Sequence, residues 1–341
     1  MKRICLTAAV LASTLMMASP ALSADPVTLR FASLNPPQSF LMTQFIRPWV
    51  AKLNEQGKDY FKIDIFDGLT LANNVNVYDR VIDDVVQMAW GLPSNFSRKF
   101  NNTNVVALPL IGDRSEDSSV ALWRMYESGV LGAEYSDIKP LMLIALPQQG
   151  IHTRGTRIEK LEDVRGVRLN SGNKVTTDII AALGATASSI NVGEMYEAVQ
   201  RGTVEGVLMP WTAFQPLRLD EVTRMHLDES FGTSPAAIFM SKKTFDALPE
   251  PARKIIEANS GEQQSREFGR IWDVEQARAR EMVKGQSGHT VITLDAADRE
   301  RWRQRLEGVV AEWIKSNPEG EKVLPEFRAQ LTRARSERGS H

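Results

Sequence analysis

Four histidines, one cysteine and a scatter of carboxylates are the residues of this 341-residue chain that could carry acid–base, nucleophilic or metal chemistry. Their spacing supports none of these reactions. His152, His226, His289 and His341 stand tens of residues apart, none at i, i+4 from another and none beside a cysteine, so a His/Cys metal cluster is not indicated. His226 and His289 read as structural or surface residues, and His341 is terminal. Asp83-Asp84, an adjacent acid pair in a helical pattern, reads as a solvated face. Catalytic and phosphate-binding signatures such as Gly-x-Ser-x-Gly, His-Glu-x-x-His, the phosphate loop and Gly-x-Gly-x-x-Gly do not occur. The sequence points away from an enzyme, from a metal and from any cofactor.

Composition narrows the class further. Lys+Arg number 41 against 42 Asp+Glu, a formal charge of −1, which supplies no basic field for nucleic acid or anionic membrane. Apolar residues make up 43% and charged residues 24%, the balance of a globular protein long enough for two domains. At the N-terminus, Lys2-Arg3 precede an apolar stretch from Ile4 to Ala18, Pro20 breaks it, and Ala21-Leu22-Ser23 offers small residues for cleavage near Ser23/Ala24. Residues 1–24 therefore read as a signal peptide, and the protein as exported to the periplasm without Cys5.

The elements that must position any site alternate between strand and helix. Val27–Ala32, Phe61–Phe66 and Gln87–Trp90 read as strands, as do Leu141–Leu146, Gly150–Arg154, Val167–Ser171, Ala187–Asn191, Gly206–Met209 and Ala236–Met240. Helical periodicity covers Phe40–Glu55, Val75–Val86, Ser115–Glu127, Lys174–Leu183 and Gly193–Arg201. From Glu250 to about Lys284 helix formers run on without a proline after Pro251. About 35 residues at 1.5 Å each give a helix of ~50 Å, longer than one domain is wide. Gly261 and Gly269 are places for it to bend. The expected fold class is α/β, a two-domain clamshell of the periplasmic-binding-protein type with a long helix spanning both domains. The cleft between such domains, where strand ends and helix N-termini converge, is the natural ligand site.

One stretch is more specific. Ile158–Pro210 contains Glu162-Asp163-Val164-Arg165-Gly166-Val167-Arg168-Leu169-Asn170, then Leu183-Gly184-Ala185, then Gly193-Glu194-Met195-Tyr196-Glu197-Ala198-Val199-Gln200-Arg201-Gly202-Thr203-Val204-Glu205-Gly206, and ends Val207-Leu208-Met209-Pro210. This resembles the DctP-like solute receptors of the tripartite ATP-independent periplasmic (TRAP) transporters. The resemblance spans the rest of the chain more loosely, through Pro36-Pro37, Leu108-Pro109-Leu110 and the long helix. It implies a receptor that binds a small organic solute and docks on the small and large membrane subunits of a transporter, with no cofactor. It also implies discontinuous domains: 25–147 with 236–275, and 148–235 with 276–335, leaving 336–341 as a frayed tail. A receptor serving a sensor system, or an exported enzyme on the same scaffold, are the alternatives.

The chain departs from the pattern where the resemblance implies anion binding. The family's Arg at the end of the first quoted strand is Asn170 here, a second Arg falls by spacing at Gly150, and a ligand-contacting Asn is Met209. An arginine grips a carboxylate with two charge-assisted bonds, which a neutral amide does not match. Arg168, His152 or Arg154 could supply a substitute cation. Arg168 and Asn170 share a strand face by alternation, and Gly150, His152 and Arg154 share another. Gln148 and Gln149 at the first domain crossing, Asn35 and Gln38 after the first strand, Trp90 at a strand end and Trp211 after Pro210 complete the expected cleft wall. Such a wall suits a neutral, amino or aromatic solute better than a simple dicarboxylate.

Overall fold

The computed structural model describes residues 25–96 and 98–339. The expected signal peptide, residues 1–24, lies outside them. The strands are β1 (Val27–Ala32), β2 (Phe61–Phe66), β3 (Met88–Gly91), β4 (Ile138–Ala145), β5 (Gly150–Thr153), β6 (Arg168–Asn170), β7 (Thr186–Ser188), β8 (Gly206–Met209), β9 (Met225–Leu227), β10 (Pro235–Ser241) and β11 (Thr290–Ile292). The helices are α1 (Arg47–Gln56), α2 (Val77–Ile82), α3 (Ser115–Glu127), α4 (Lys174–Ala182), α5 (Met195–Arg201), α6 (Phe214–Leu217), α7 (Leu219–Val222), α8 (Lys242–Ala247), α9 (Glu250–Ala258), α10 (Glu262–Lys284), α11 (Ala296–Ser316) and α12 (Gly320–Arg338).

The strands form two sheets, ordered β2-β1-β3-β10-β4 and β11-β9-β5-β8-β6-β7. In the first, β1 pairs in parallel with β2 from Val27↔Phe61 to Ala32↔Phe66. The late strand β10 returns to lie antiparallel between β3 and β4. In the second, β6 is parallel to β7 and β8, whereas β5 is antiparallel to β8 and β9. Residues on both faces of the first sheet are buried: Phe31, Met88 and Ile238 face α1, and Ala89, Leu143 and Phe239 face α3 and its neighbours. Burial on both faces explains why these strands read as apolar runs rather than as alternating ones.

The long helical run is two helices, not one. Gly261 takes φ +95°, a left-handed conformation that a side chain resists, and the chain breaks there between α9 and α10. Gly269 lies within the unbroken α10. A Cβ at that position would sit 2.7 Å from Glu116 Cα, so its missing side chain lets α10 cross closely over the start of α3. Twenty-three residues of α10 still extend over ~35 Å and reach both domains. Its first half packs on α3 and β4, while Ala279 and Val283 enter the core of the second domain. Helix α11 then packs on α4. Helix α12 returns to α3, where Arg338 meets Asp117 and Arg124 meets Glu337. The expected division groups 276–335 with the second domain, whereas α12 packs on α3 and on α11. The expected tail is helical through Arg338.

Candidate ligand-binding site

Four residues, 146–149, join the C-terminal end of β4 to the start of β5, and residues 228–234 join the end of β9 to the start of β10. Pairing directions then decide where the sheets meet. The C-terminal ends of β1 and β3 lie with the end of β4, and the C-terminal ends of β6 and β8 lie with the start of β5. Both sheets thus turn their C-terminal edges to the crossings, the arrangement in which open α/β sheets leave a ligand crevice.

The crossings are tied to each other. Leu146 N–H donates to Ser234 O (3.0 Å), Gln149 N–H to Gly232 O (2.9 Å) and Phe231 N–H to Gln149 O (3.1 Å). Helix α10 joins them through one side chain. Gln276 Nε2 donates to Gln148 O (3.0 Å), and its Oε1 accepts from Thr212 N–H of the second domain (3.2 Å). Asn173 caps α4 by accepting from Thr176 N–H (2.9 Å) and donates Nδ2 to Ser234 Oγ (3.2 Å).

Around this junction the wall is apolar with neutral amides set into it. Leu34, Leu92, Leu146 and Met209 cap the strand ends and are only half-buried, unlike the strand interiors behind them. Asn170 ends β6 with 2% exposure, and its Oδ1 accepts from Ile190 N–H (2.9 Å). That bond fixes the amide, so Nδ2 is the end left to donate. Gln149 is buried at the crossing, and only its backbone is held by the second crossing. Asn35 is half-buried, with both its nitrogens directed at Ser33 Oγ, and Gln38 is exposed on the first-domain side.

Several expected wall residues lie elsewhere. Arg168 is on the outer surface, where its guanidinium donates to Thr203 O (3.1 Å) and Gly202 O (3.0 Å) and pairs with Glu205. The C-terminal carbonyls of α5 attract the cation there, so Arg168 does not serve the cleft. Arg154 is exposed beside Gly202. Trp211 is 1% exposed in the second-domain core, its Nε1 donating to Asp228 Oδ1 (2.7 Å). Trp90 is buried among Phe31, Ile238 and their neighbours, and its Nε1 meets no acceptor among the described residues. The Gln148 side chain lies near Ser118 and Gly112 at the start of α3. The second expected arginine position has a steric answer: a Cβ on Gly150 would sit 2.8 Å from Leu227 O, inside the β5–β9 pairing, so no side chain fits.

His152 is also removed from the cleft, and its surroundings were not legible from sequence. It is fully buried, with Nε2 3.0 Å from Met209 O and Nδ1 3.2 Å from His226 Nδ1. His226 Nε2 in turn lies 2.9 Å from His289 Nδ1, and those two rings are parallel. Trp211 and Phe214 pack against the His152 ring at 4.6 and 4.7 Å. Burial pushes the His152 pKa down to about 4 and that of His226 to about 2. All three histidines come from different strands or their flanks, so only pairing across the sheet reveals them as a group.

A separate crevice of about 370 Å³ lies on the first domain, lined by Tyr126, Tyr135, Lys139, Lys242 and Phe245, where β4 begins and β10 ends, at the edge opposite the crossings. A second, of about 570 Å³, runs between Ser94, Asn104 and Leu108 of the first domain and Lys174, Asp178, Val309 and Trp313. Its size suits a small molecule, but its lining includes none of the residues that the sequence suggested.

Two α/β domains whose sheets turn their C-terminal edges to two tied crossings have the architecture of a clamshell solute receptor. The chain belongs to the DctP family, bacterial extracellular solute-binding protein, family 7, whose pattern matches residues 31–317. The outer membrane transporter protein TsaT of Comamonas testosteroni is 25% identical over 339 residues, 96% of this chain and 97% of that protein. Among solved structures, a marine-metagenome TRAP solute-binding protein specific for aromatic acid ligands, in complex with metahydroxyphenylacetate, superposes with a TM-score of 0.85 at 24% identity, covering 90% of this chain and 99% of that one. A TRAP solute-binding protein from Rhodoferax ferrireducens with copurified benzoate gives 0.85 at 24%, covering 91% and 99%. The protein is therefore a solute-binding receptor by family rather than an enzyme. No helix among the described residues is long and apolar enough to cross a membrane.

Proposed function

We propose that this receptor holds a compact solute with a flat apolar or aromatic face at the junction of the strand ends, without an arginine clamp. It would deliver that solute from the periplasm, after loss of residues 1–24, to the small and large membrane subunits of a TRAP transporter. The observation that carries the ligand reading is Asn170. A fixed neutral amide stands where the family pattern has a cation, among half-buried Leu34, Leu92, Leu146 and Met209. Gln149 offers a second amide. Such a wall favours van der Waals contact with a ring and one or two neutral hydrogen bonds, each contributing about 1 kcal/mol. The aromatic rings of the acids held by two structural neighbours are in line with the flat-face part of this reading.

Closure follows from the same geometry. A ligand touching Leu92 from one sheet and Asn170 from the other interacts fully only when the domains meet, so it shifts the population toward the closed form. A thermal-shift panel tests the ligand class. Benzoate and 3-hydroxyphenylacetate should raise Tm, and succinate and malate should not. Stabilisation by the dicarboxylates alone would refute the reading. Trp313→Ala, in the separate crevice, should leave the benzoate shift intact, whereas Asn170→Ala should reduce it.

A further inference from the structure

The three histidines of the second domain form a chain with only one consistent hydrogen arrangement among neutral rings. Met209 O can only accept, so His152 Nε2 carries the hydrogen. His152 Nδ1 is then a lone pair and accepts from His226 Nδ1–H. His226 Nε2 is left as a lone pair and accepts from His289 Nδ1–H. The chain starts at half-buried His289 and ends on the carbonyl of Met209, the last residue of β8, at the edge of the junction.

We propose that His152, His226 and His289 are positioning residues for the ligand cleft: a neutral, one-directional imidazole chain that holds the Met209–Pro210 corner in place. His152 touches the corner directly, and the other two act through it by fixing its tautomer. The idea rests on the strand-end junction being the ligand site. The corner matters because Met209 supplies part of that apolar wall and Pro210 turns the chain into Trp211–Ala213, which Gln276 ties to the hinge. Without the chain, the part-buried Met209 carbonyl loses the His152 donor and the corner is free to tilt.

The surroundings favour the neutral state. Arg224, at the start of β9, opposes charge on His226 and on His289. Asp228, after β9, favours charge on His152, but it already accepts from Trp211 and Arg280. Asp220 of α7 favours charge on His289 alone. Met209, Trp211 and Phe214, packed on the rings from β8 and the segment after it, bring no charge. A proton can enter at His289 Nε2 without breaking a link. A proton on His226 Nε2 or His152 Nδ1 replaces an acceptor by a donor and breaks one.

Long-range proton–nitrogen NMR on the ¹⁵N-labelled full protein tests the chain without any ligand. At pH 7.5 the expected tautomers are Nε2–H for His152 and Nδ1–H for His226 and His289, with His226 not titrating between pH 8 and 5.5. An Nε2–H tautomer or an imidazolium at His226 would overturn the proposal. The second arm is benzoate affinity. His152→Phe keeps a ring but loses the donor and should bind about tenfold more weakly. His226→Gln keeps one donor and one acceptor and should bind within about twofold of the parent. Equal binding by His152→Phe would refute the positioning role. If the parent itself does not bind benzoate, the ligand reading fails, and the tautomers alone decide whether the chain exists.

Discussion

Where helices meet in the first domain, buried carboxylates are paired with arginines; at the heart of the second sheet, the buried histidines and Asn170 are neutral. Where α3, α10 and α12 meet, Asp117 is fully buried against Arg338, and Arg124 forks onto Glu262 and Glu337. Arg266 joins Glu116, Glu262 and Glu337, and Asp273 accepts from Ser115 and Glu116 N–H at the start of α3. The second domain buries His152, His226 and Asn170 instead, all uncharged and each hydrogen-bonded. The difference teaches where the arginines of a nearly charge-balanced protein are placed. Those of α3, α10 and α12 pin these helices together, whereas the proposed ligand edge is lined by amides and apolar side chains.

The comparison can be broken at its tightest points first. Gly206 lies inside β8, and a Cβ there would come 2.4 Å from His152 O. Gly206→Ala should cost about 4 kcal/mol or prevent folding, because backbone has to move. Chemical denaturation measures it, and a loss under 1 kcal/mol would show that the second sheet is looser than described. Next is the buried pair. Arg338→Ala leaves Asp117 without its partner and should cost about 2 kcal/mol, with the half-exposed guanidinium moderating the loss. Added 1 M salt should weaken the first domain's network and leave the histidine chain unaffected.

The domains should also respond to pH in opposite directions. Burial depresses His152 to about 4 from an ordinary 6.5. Below pH 6.5 the unfolded chain therefore binds more protons than the folded one. This stabilisation is complete above 6.5 and drains as pH falls toward 4, by about 3 kcal/mol in all. In the first domain, burial raises Glu134 to about 7 against the donated bonds from Asn102 and Thr103. Its contribution is complete below the ordinary 4.5 and is lost as pH rises through 7. The two offset one another between pH 4.5 and 6.5, with the histidine side heavier because His226 shifts the same way. Thermal melts of Glu134→Gln should fall more steeply on acidification than the parent's, and those of His152→Phe less steeply. The reverse ordering would contradict the assignment. The smallest expected effect is at the ligand: Asn170→Ala should weaken benzoate about fivefold by calorimetry, the value of one neutral hydrogen bond.

Much of this was legible in sequence where periodicity and chain-local chemistry decide. Phe61–Phe66, Ser115–Glu127 and Gly206–Met209 keep their expected bounds. Short β9 and β11 escaped the sequence reading; each is set by its pairing partner in the sheet. The break before α10 depended on the backbone angle of Gly261, and the return of α12 on long-range ion pairs. For the cleft, alternation alone puts Arg168 beside Asn170 on one strand face, but the carbonyls of Gly202 and Thr203 claim the Arg168 side chain. Trp211 and His152 were placed on the wall by nearness to Pro210 and Gly150, while the core between β5, β8 and β9 takes both. The absence of a cation at Gly150 and Asn170 was readable; the reason at Gly150, a carbonyl against the missing Cβ, needed the sheet.

The central claim is a receptor that grips its solute without an arginine clamp. Titration calorimetry of the full protein with benzoate and with succinate, at 20 mM and 500 mM salt, tests it most directly. The account predicts that benzoate binds at least about tenfold more tightly than succinate and that its Kd changes less than about threefold with salt, since no charged pair carries the contact. Tight succinate binding that collapses at high salt would contradict it.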